Sequence, residues 1–232
     1  SPKLVTSSSG DGRLLLQFVR DTDNDLDTML DRRLVIMEFD ADLNQFKPET
    51  VVPGVHSVDI YHPQLAFDNT GRLLVLYAHR STDADGLAGG SFRMKVQFRN
   101  SLSQWLPSGP VELTDESSSS EVAPTLAVRN SSIVTLMWQS SQSGLRYHTW
   151  DMATESIAQL TDSSQFKSLE HLRADPETQG KMTASLVTAR DRLLVVISQK
   201  ELASVNKTYV RYAFADVADS TFGEFFDISF PL

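Results

Sequence analysis

Apolar residues in this chain come in short runs broken by turn residues, and the runs themselves recur. Ser1-Pro2-Lys3-Leu4-Val5 is matched by His62-Pro63-Gln64-Leu65-Ala66, then by Ala123-Pro124-Thr125-Leu126-Ala127 and, less closely, by Thr183-Ala184-Ser185-Leu186-Val187, at spacings of 61, 61 and 60 residues. A fixed period of this size means one supersecondary unit used repeatedly, because a single copy cannot bury its own apolar face. A second anchor keeps step with the first: a turn and an apolar run at Gly12 to Phe18, Gly71 to Tyr77, Ser132 to Trp138 and Asp191 to Ile197. Turns such as Asp68-Asn69-Thr70-Gly71 suit tight hairpins, since Asn and Gly accept positive φ. The first two strands of each unit are therefore predicted to form a hairpin.

A third strand is predicted at Arg33 to Phe39, Phe92 to Phe98, Leu145 to Trp150 and Tyr209 to Phe214, where apolar and polar residues roughly alternate. A fourth, short strand is predicted at Pro110 to Asp115 and at its echo Ile157-Ala158-Gln159-Leu160-Thr161-Asp162. Helical spacing occurs in one place, with Phe166, Leu169 and Leu172 predicting a short helix within Ser164 to Arg173. The fold class is all-β: a β-propeller-like array of four four-stranded antiparallel blades, with boundaries near 1–61, 62–122, 123–181 and 182–232. With all four units running from first to fourth strand, two closures are open: a small ring of four, or part of a larger propeller completed by further sequence or a second copy. An open array leaves an apolar flank, which predicts self-association.

Asn100-Ser101-Leu102-Ser103-Gln104-Trp105 followed by Pro110-Val111-Glu112-Leu113-Thr114 carries a family resemblance, and Phe46 and Phe222 hold the same place as Trp105 in the first and fourth units. This outer hairpin with its tryptophan and "P-V-x-L-T" strand resembles the blades of the sialidase and BNR-repeat β-propeller superfamily. The Asp box of that superfamily, Ser-x-Asp-x-Gly-x-x-Trp, is missing from all four units. Its catalytic members imply an arginine cluster with a tyrosine and acidic partners. Arg33, Arg93, Arg146 and Arg211 lie near the entries of the third strands, where charged residues also serve as solvated edges.

Composition narrows the function classes. The 30 acidic residues exceed the 21 basic ones for a net charge of −9, which opposes nucleic-acid binding. No stretch of eighteen apolar residues occurs to insert in a membrane as a helix. Without any cysteine, disulfides, thiolate zinc sites and thiol nucleophiles are excluded. The opening Ser1-Pro2-Lys3-Leu4 reads as a processed chain or an excised segment, and an extracellular or cell-surface location is expected. Asn130-Ser131-Ser132 and Asn206-Lys207-Thr208 match the glycosylation tripeptide, which matters only in a eukaryotic secretory setting.

The most unusual local chemistry is the acidic loop Asp21-Thr22-Asp23-Asn24-Asp25-Leu26-Asp27 between the second and third strands of the first unit, with a shorter version at Asp83 and Asp85 in the second. Alternating carboxylates supply the oxygen ligands that calcium prefers, although Leu26 replaces the EF-hand glycine. The same residues also fit exposed turns capped by their own side chains, or an acidic face for a cationic partner. Among the histidines, His62 and His79 are expected to approach one another in the second unit and to build a ligand site with Tyr61 and Arg80. Phe18, Tyr77, Trp138 and Ile197 share one repeat position and are expected in the core, as are Trp105 and Trp150.

These observations lead to an expectation of a non-catalytic binding or assembly module that recognises a glycan or a protein through an acidic loop face, with calcium as a candidate ion. The alternative is a glycoside-acting enzyme of the propeller type, with carboxylates of the Asp21 and Asp83 loops as acid, base or metal ligands.

Overall fold

The computed structural model describes residues 2–6, 13–25, 32–54, 58–68, 70–81, 90–114, 121–129, 132–141, 143–154, 156–169, 179–189, 192–201, 208–216 and 221–228. Their backbone forms four antiparallel sheets, each laid out in chain order. The first contains β1 (Lys3–Thr6), β2 (Leu14–Arg20), β3 (Arg33–Asp40), β4 (Gln45–Phe46) and β5 (Thr50–Val51), the last also pairing with β3. The second contains β6 (Val58–Phe67), β7 (Leu73–Ser81), β8 (Arg93–Arg99) and β9 (Trp105–Glu112). The third contains β10 (Glu121–Arg129), β11 (Ile133–Ser140), β12 (Gly144–Asp151) and β13 (Lys167–Leu169). The fourth contains β14 (Gln179–Ala189), β15 (Arg192–Glu201), β16 (Thr208–Phe214) and β17 (Phe226–Asp227).

The sheets stack face to face through alternate side chains of each strand. In β7, Leu73, Val75 and Tyr77 pack on Leu15, Leu34 and Ile36 of the first sheet, while Leu74, Leu76 and Ala78 face Leu136, Trp138 and Trp150 of the third. A strand covered on both faces must be apolar throughout, which is why Leu73–Ala78 carries no polar residue. Aromatic edges seal the junctions: Phe98 meets Trp150 at a centroid distance of 5.1 Å, and Tyr147 meets Phe222 at 5.1 Å. The first strands β1, β6, β10 and β14 follow one another in sequence order, and no comparable contact links β14 back to β1 among the described residues.

The hairpin between β6 and β7 rests on Asp68, which is fully buried. Its Oδ1 accepts from Thr70 N at 2.9 Å, Thr70 Oγ1 at 2.8 Å and Arg72 N at 3.0 Å, and its Oδ2 accepts from Arg72 Nε at 2.6 Å. These hairpins lie at one end of the sheets. The opposite end carries the last residues of each second strand and the first residues of each third.

Two local expectations are corrected in the third sheet. Ile157–Leu160 is a helix, α1, rather than a fourth strand. Ser156 and Gln159 close a capping box, with Ser156 N donating to Gln159 Oε1 at 2.7 Å, and Leu160 is buried beneath the turn. The strand role falls to Lys167–Leu169, which pairs with Leu145–Tyr147 where a helix from Ser164 was expected. Among the described residues of that stretch the helical part is a 3-10 turn, Ser163–Gln165, because the open edge of β12 offers the backbone partners that a short helix leaves unmade.

Candidate functional site

His62 is placed by an irregularity in β6. The pairing of β6 with β7 shifts between Tyr61 and Gln64, and His62 sits in the shift with φ of 47°. Pro63 follows and has no N–H to give to the ladder, so the extra residue is accommodated as a bulge. The third sheet repeats the device, with a shift between Val122 and Thr125 and Ala123 at φ of 52° before Pro124. Left-handed backbone at a non-glycine residue costs energy, and here it turns an exposed imidazole away from the sheet while Ala123 marks the same place without chemistry.

His62 borders a groove of about 580 Å³ between the first and second sheets, near the end of β2 and the start of β3. Its polar lining is Lys3 of β1, Gln17 of β2, Asp21 directly after β2, Arg32 directly before β3, and His62 and Gln64 of β6. Lys3 Nζ donates to Gln64 Oε1, which joins two neighbouring first strands. Gln17 Nε2 donates to the carbonyl of Pro63, and Gln64 Nε2 to the carbonyl of His62 at 3.2 Å, so two amides brace the bulge. Arg32 Nε lies 3.8 Å from Asp21 Oδ2. Burial holds the Lys3 ammonium below its ordinary pKa, as expected for a cation partly withdrawn from water.

The expected site residues separate. His62 and Asp21 share the groove. His79 does not line it: the residue lies opposite Ile60 in the ladder and is buried on the face turned to the first sheet. Neither of its ring nitrogens has a hydrogen-bond partner, and Glu112 Oε1 stands 3.7 Å from Nε2. Arg93 Nη1 and Lys95 Nζ approach Glu112 at 3.8 and 3.5 Å. Burial first, then Lys95 and Arg93, push the His79 pKa down to about 3. The neighbouring Tyr77 hydroxyl also has no partner, and burial with Glu112 pushes the phenol up. Arg80 lies over the Phe92 ring at 4.8 Å, away from His79. Tyr61 pairs through its backbone with Ala78, and its side chain lies outside the described part.

In the acidic loop, Asp21 Oδ1 accepts from Asn24 N at 3.1 Å and Asp23 Oδ1 from Asp25 N at 2.7 Å. These are the local caps that Asp supplies to a turn. Among the described residues no three His, Asp or Glu side chains converge as metal ligands, while Asp27, Asp83 and Asp85 lie outside the described residues.

Lys3, Gln17, Arg32 and Gln64 are site residues that the sequence reading passed over. Gln17 carried a signal, since pairing registers align it with Leu76, Met137 and Val196, all apolar, and it is the polar exception at a buried position. Lys3 and Gln64 carried a weaker one, as the residue between the Pro and Leu of successive repeats.

No known family pattern matches the chain, and no curated protein matches it in sequence. Solved structures do match in shape. The polysaccharide lyase Uly1 superposes with a TM-score of 0.56 at 12% identity, over 100% of this chain and 49% of that one. A family PL25 ulvan lyase bound to -[GlcA(1-4)Rha3S]- gives 0.59 at 7% identity, over 98% of this chain and 55% of the lyase. An endo-1,5-α-L-arabinanase from Thermotoga petrophila gives 0.50 at 13% identity, over 100% and 59%. The chain thus spans about half the length of the lyases it matches. All three are enzymes that act on polysaccharide, and this finding overturns the expectation of a non-catalytic module in favour of its glycoside-acting alternative. At these identities the likeness establishes the fold, and the chain has a β-propeller fold built of four successive antiparallel sheets, the first of five strands and the others of four.

Proposed function

We propose that the chain acts on an acidic polysaccharide, cleaving it by β-elimination in the groove beside His62. The observation that carries this reading is the groove itself: an exposed imidazole held out by a braced bulge, with Lys3 of β1 and Arg32 just before β3 on the first sheet's side. The substrate class follows from the cations, which suit a uronate carboxylate. It is supported by the named ligand of the ulvan lyase.

Elimination needs few parts. An imidazole nitrogen of His62 takes the proton from the carbon next to the carboxylate, and the electron pair becomes the ring double bond as the glycosidic C–O bond breaks. The departing oxygen then takes a proton back, for which the same imidazole is suited, and no water is consumed. Lys3 and Arg32 offset the negative charge that builds on the carboxylate while the proton leaves. The net charge of −9 opposes a polyanion as a whole. Charges beyond about 8 Å are largely screened at physiological salt, so the groove cations govern local binding. An extracellular or cell-surface location, where such polymers are met, belongs to the same reading.

The test is a panel of uronate-containing and neutral polysaccharides incubated with the chain and with a His62→Ala variant. Cleavage of an acidic polymer that falls by 100-fold or more in the variant is the expected result, the size usual for a lost proton-transfer group. Equal cleavage by both proteins removes His62 from the reaction. Products carrying an added water would move the assignment to hydrolysis, with Asp21 as the first carboxylate to examine.

A further inference from the structure

We infer that Gln17 is a positioning residue whose amide fixes the His62 imidazole for proton abstraction, an inference that rests on the elimination proposed for the groove. Pairing registers align Gln17 with Leu76, Met137 and Val196. Leu76 and Met137 are fully buried in the second and third junctions, where stacked sheets call for apolar side chains. Gln17 is 2% exposed, yet it carries an amide, and its Oε1 has no hydrogen-bond partner among the described residues. A buried acceptor left unmade costs stability, so packing alone does not account for the residue.

The other end of the amide points to its use. Gln17 Nε2 donates to the carbonyl of Pro63, the residue directly after His62. Formation of the bulge does not need this bond. Shifts of the same kind occur in β10 between Val122 and Thr125 and in β14 between Gln179 and Met182, and the sheets before them carry Leu76 and Met137 at the aligned position. What differs is the residue displayed, which is Ala123 in the third sheet and His62 in the second. The amide stands opposite the bulge that carries the imidazole.

Gln97 shows what such a bond does. It too is buried, at 1% exposed, and its Nε2 donates to the carbonyl of Pro107 at 2.8 Å, across the shift in the pairing of β8 with β9. A buried amide thus ties down an irregular strand. At Gln17 the strand tied down is the one that holds His62, and the tie comes from the sheet that supplies Lys3 and Arg32. The bond therefore fixes the distance from the imidazole to the two cations. Catalysis by proximity is steep in that distance, with a misplacement of about 1 Å costing on the order of 100-fold.

The experiment uses Gln17→Met and Gln17→Leu, which install the residues aligned in the third and second sheets, and Gln97→Met, which removes the same kind of bond away from the groove. Circular dichroism checks that all three stay folded. Urea unfolding should give the Gln17 variants a midpoint no lower than the parent's, because they shed the partnerless Oε1, whereas a brace that served the fold alone would lower it. On a uronate polysaccharide their kcat should fall about 10- to 100-fold with KM within about threefold, while Gln97→Met keeps the parent's kcat within about twofold. The ring signals of His62 in a proton–carbon NMR spectrum should shift and broaden in the Gln17 variants and stay in place in Gln97→Met, a readout that needs no substrate. Unmoved His62 signals overturn the inference. So does a kcat equal to the parent's in Gln17→Met while His62→Ala is inactive. Cleavage that does not depend on His62 sinks the elimination itself, and the NMR signals then decide whether Gln17 holds the ring.

Discussion

His79 makes the junction of the first two sheets sensitive to acid. The ring is buried with both nitrogens unpaired, and protonation would add a charge beside Arg93 and Lys95, with Glu112 alone in opposition. Its pKa falls from the ordinary imidazole value of 6.5 to about 3, so between those limits the unfolded chain binds a proton that the folded chain does not. Stability must then fall as the pH drops below 6.5 and level off near 3. At about 1.4 kcal/mol per tenfold, the loss from pH 6.5 to 4 reaches about 3 kcal/mol, an upper value because Glu112 gives water a path to the site. Asp151 and Asp162 add nothing in this window. Burial raises Asp151, but hydrogen bonds from Ala153, Ser132 and Thr154, with Arg72, bring it below its ordinary value; bonds from Ser164 lower Asp162. The assay is urea unfolding followed by tryptophan fluorescence at pH 7, 5.5 and 4. A His79→Leu variant loses no hydrogen bond and should match the parent within about 1.5 kcal/mol at pH 7. It should lose most of the slope between pH 6.5 and 4, and an unchanged slope would refute the assignment to His79.

Two further perturbations test the packing of the sheets. Asp68→Ala leaves Arg72 without its buried partner and opens the β6–β7 hairpin, an expected loss of about 3 kcal/mol in equilibrium unfolding. Trp150→Ala empties a fully buried site against Phe98 and removes the bond from Trp150 Nε1 to the carbonyl of Ser156, for an expected loss of about 3–5 kcal/mol.

The fold was legible because each repeat marks itself. Pro63 and Pro124 sit in bulges that return at the same place, and Tyr77, Trp138 and Ile197 recur as buried positions because every inner sheet presents the same face to its predecessor. Among the described residues no sheet packs on Phe18 from the other side, and it stays partly exposed, so the rule that placed the others in the core does not reach it. Ile157–Leu160 misled because its residues echo Pro110–Asp115, while the Ser156–Gln159 capping box, three residues apart, decides for a helical turn. The groove was half legible. His62 and Asp21 stand out by residue type, but Lys3, Gln17 and Gln64 become neighbours only when two sheets stack. His79 is expected beside His62 because one precedes the first strand of the second unit and the other ends its second strand. The alternation of β7 sends its ring to the buried face instead, a matter of one residue's parity.

The most direct measurement of the central claim is the mass of the fragments released from a uronate polysaccharide. Elimination in the His62 groove predicts fragments with an unsaturated terminal ring, each pair summing to the parent without an added water, and none from the His62→Ala protein. Fragments that incorporate oxygen from labelled water, or equal release by the variant, would contradict it.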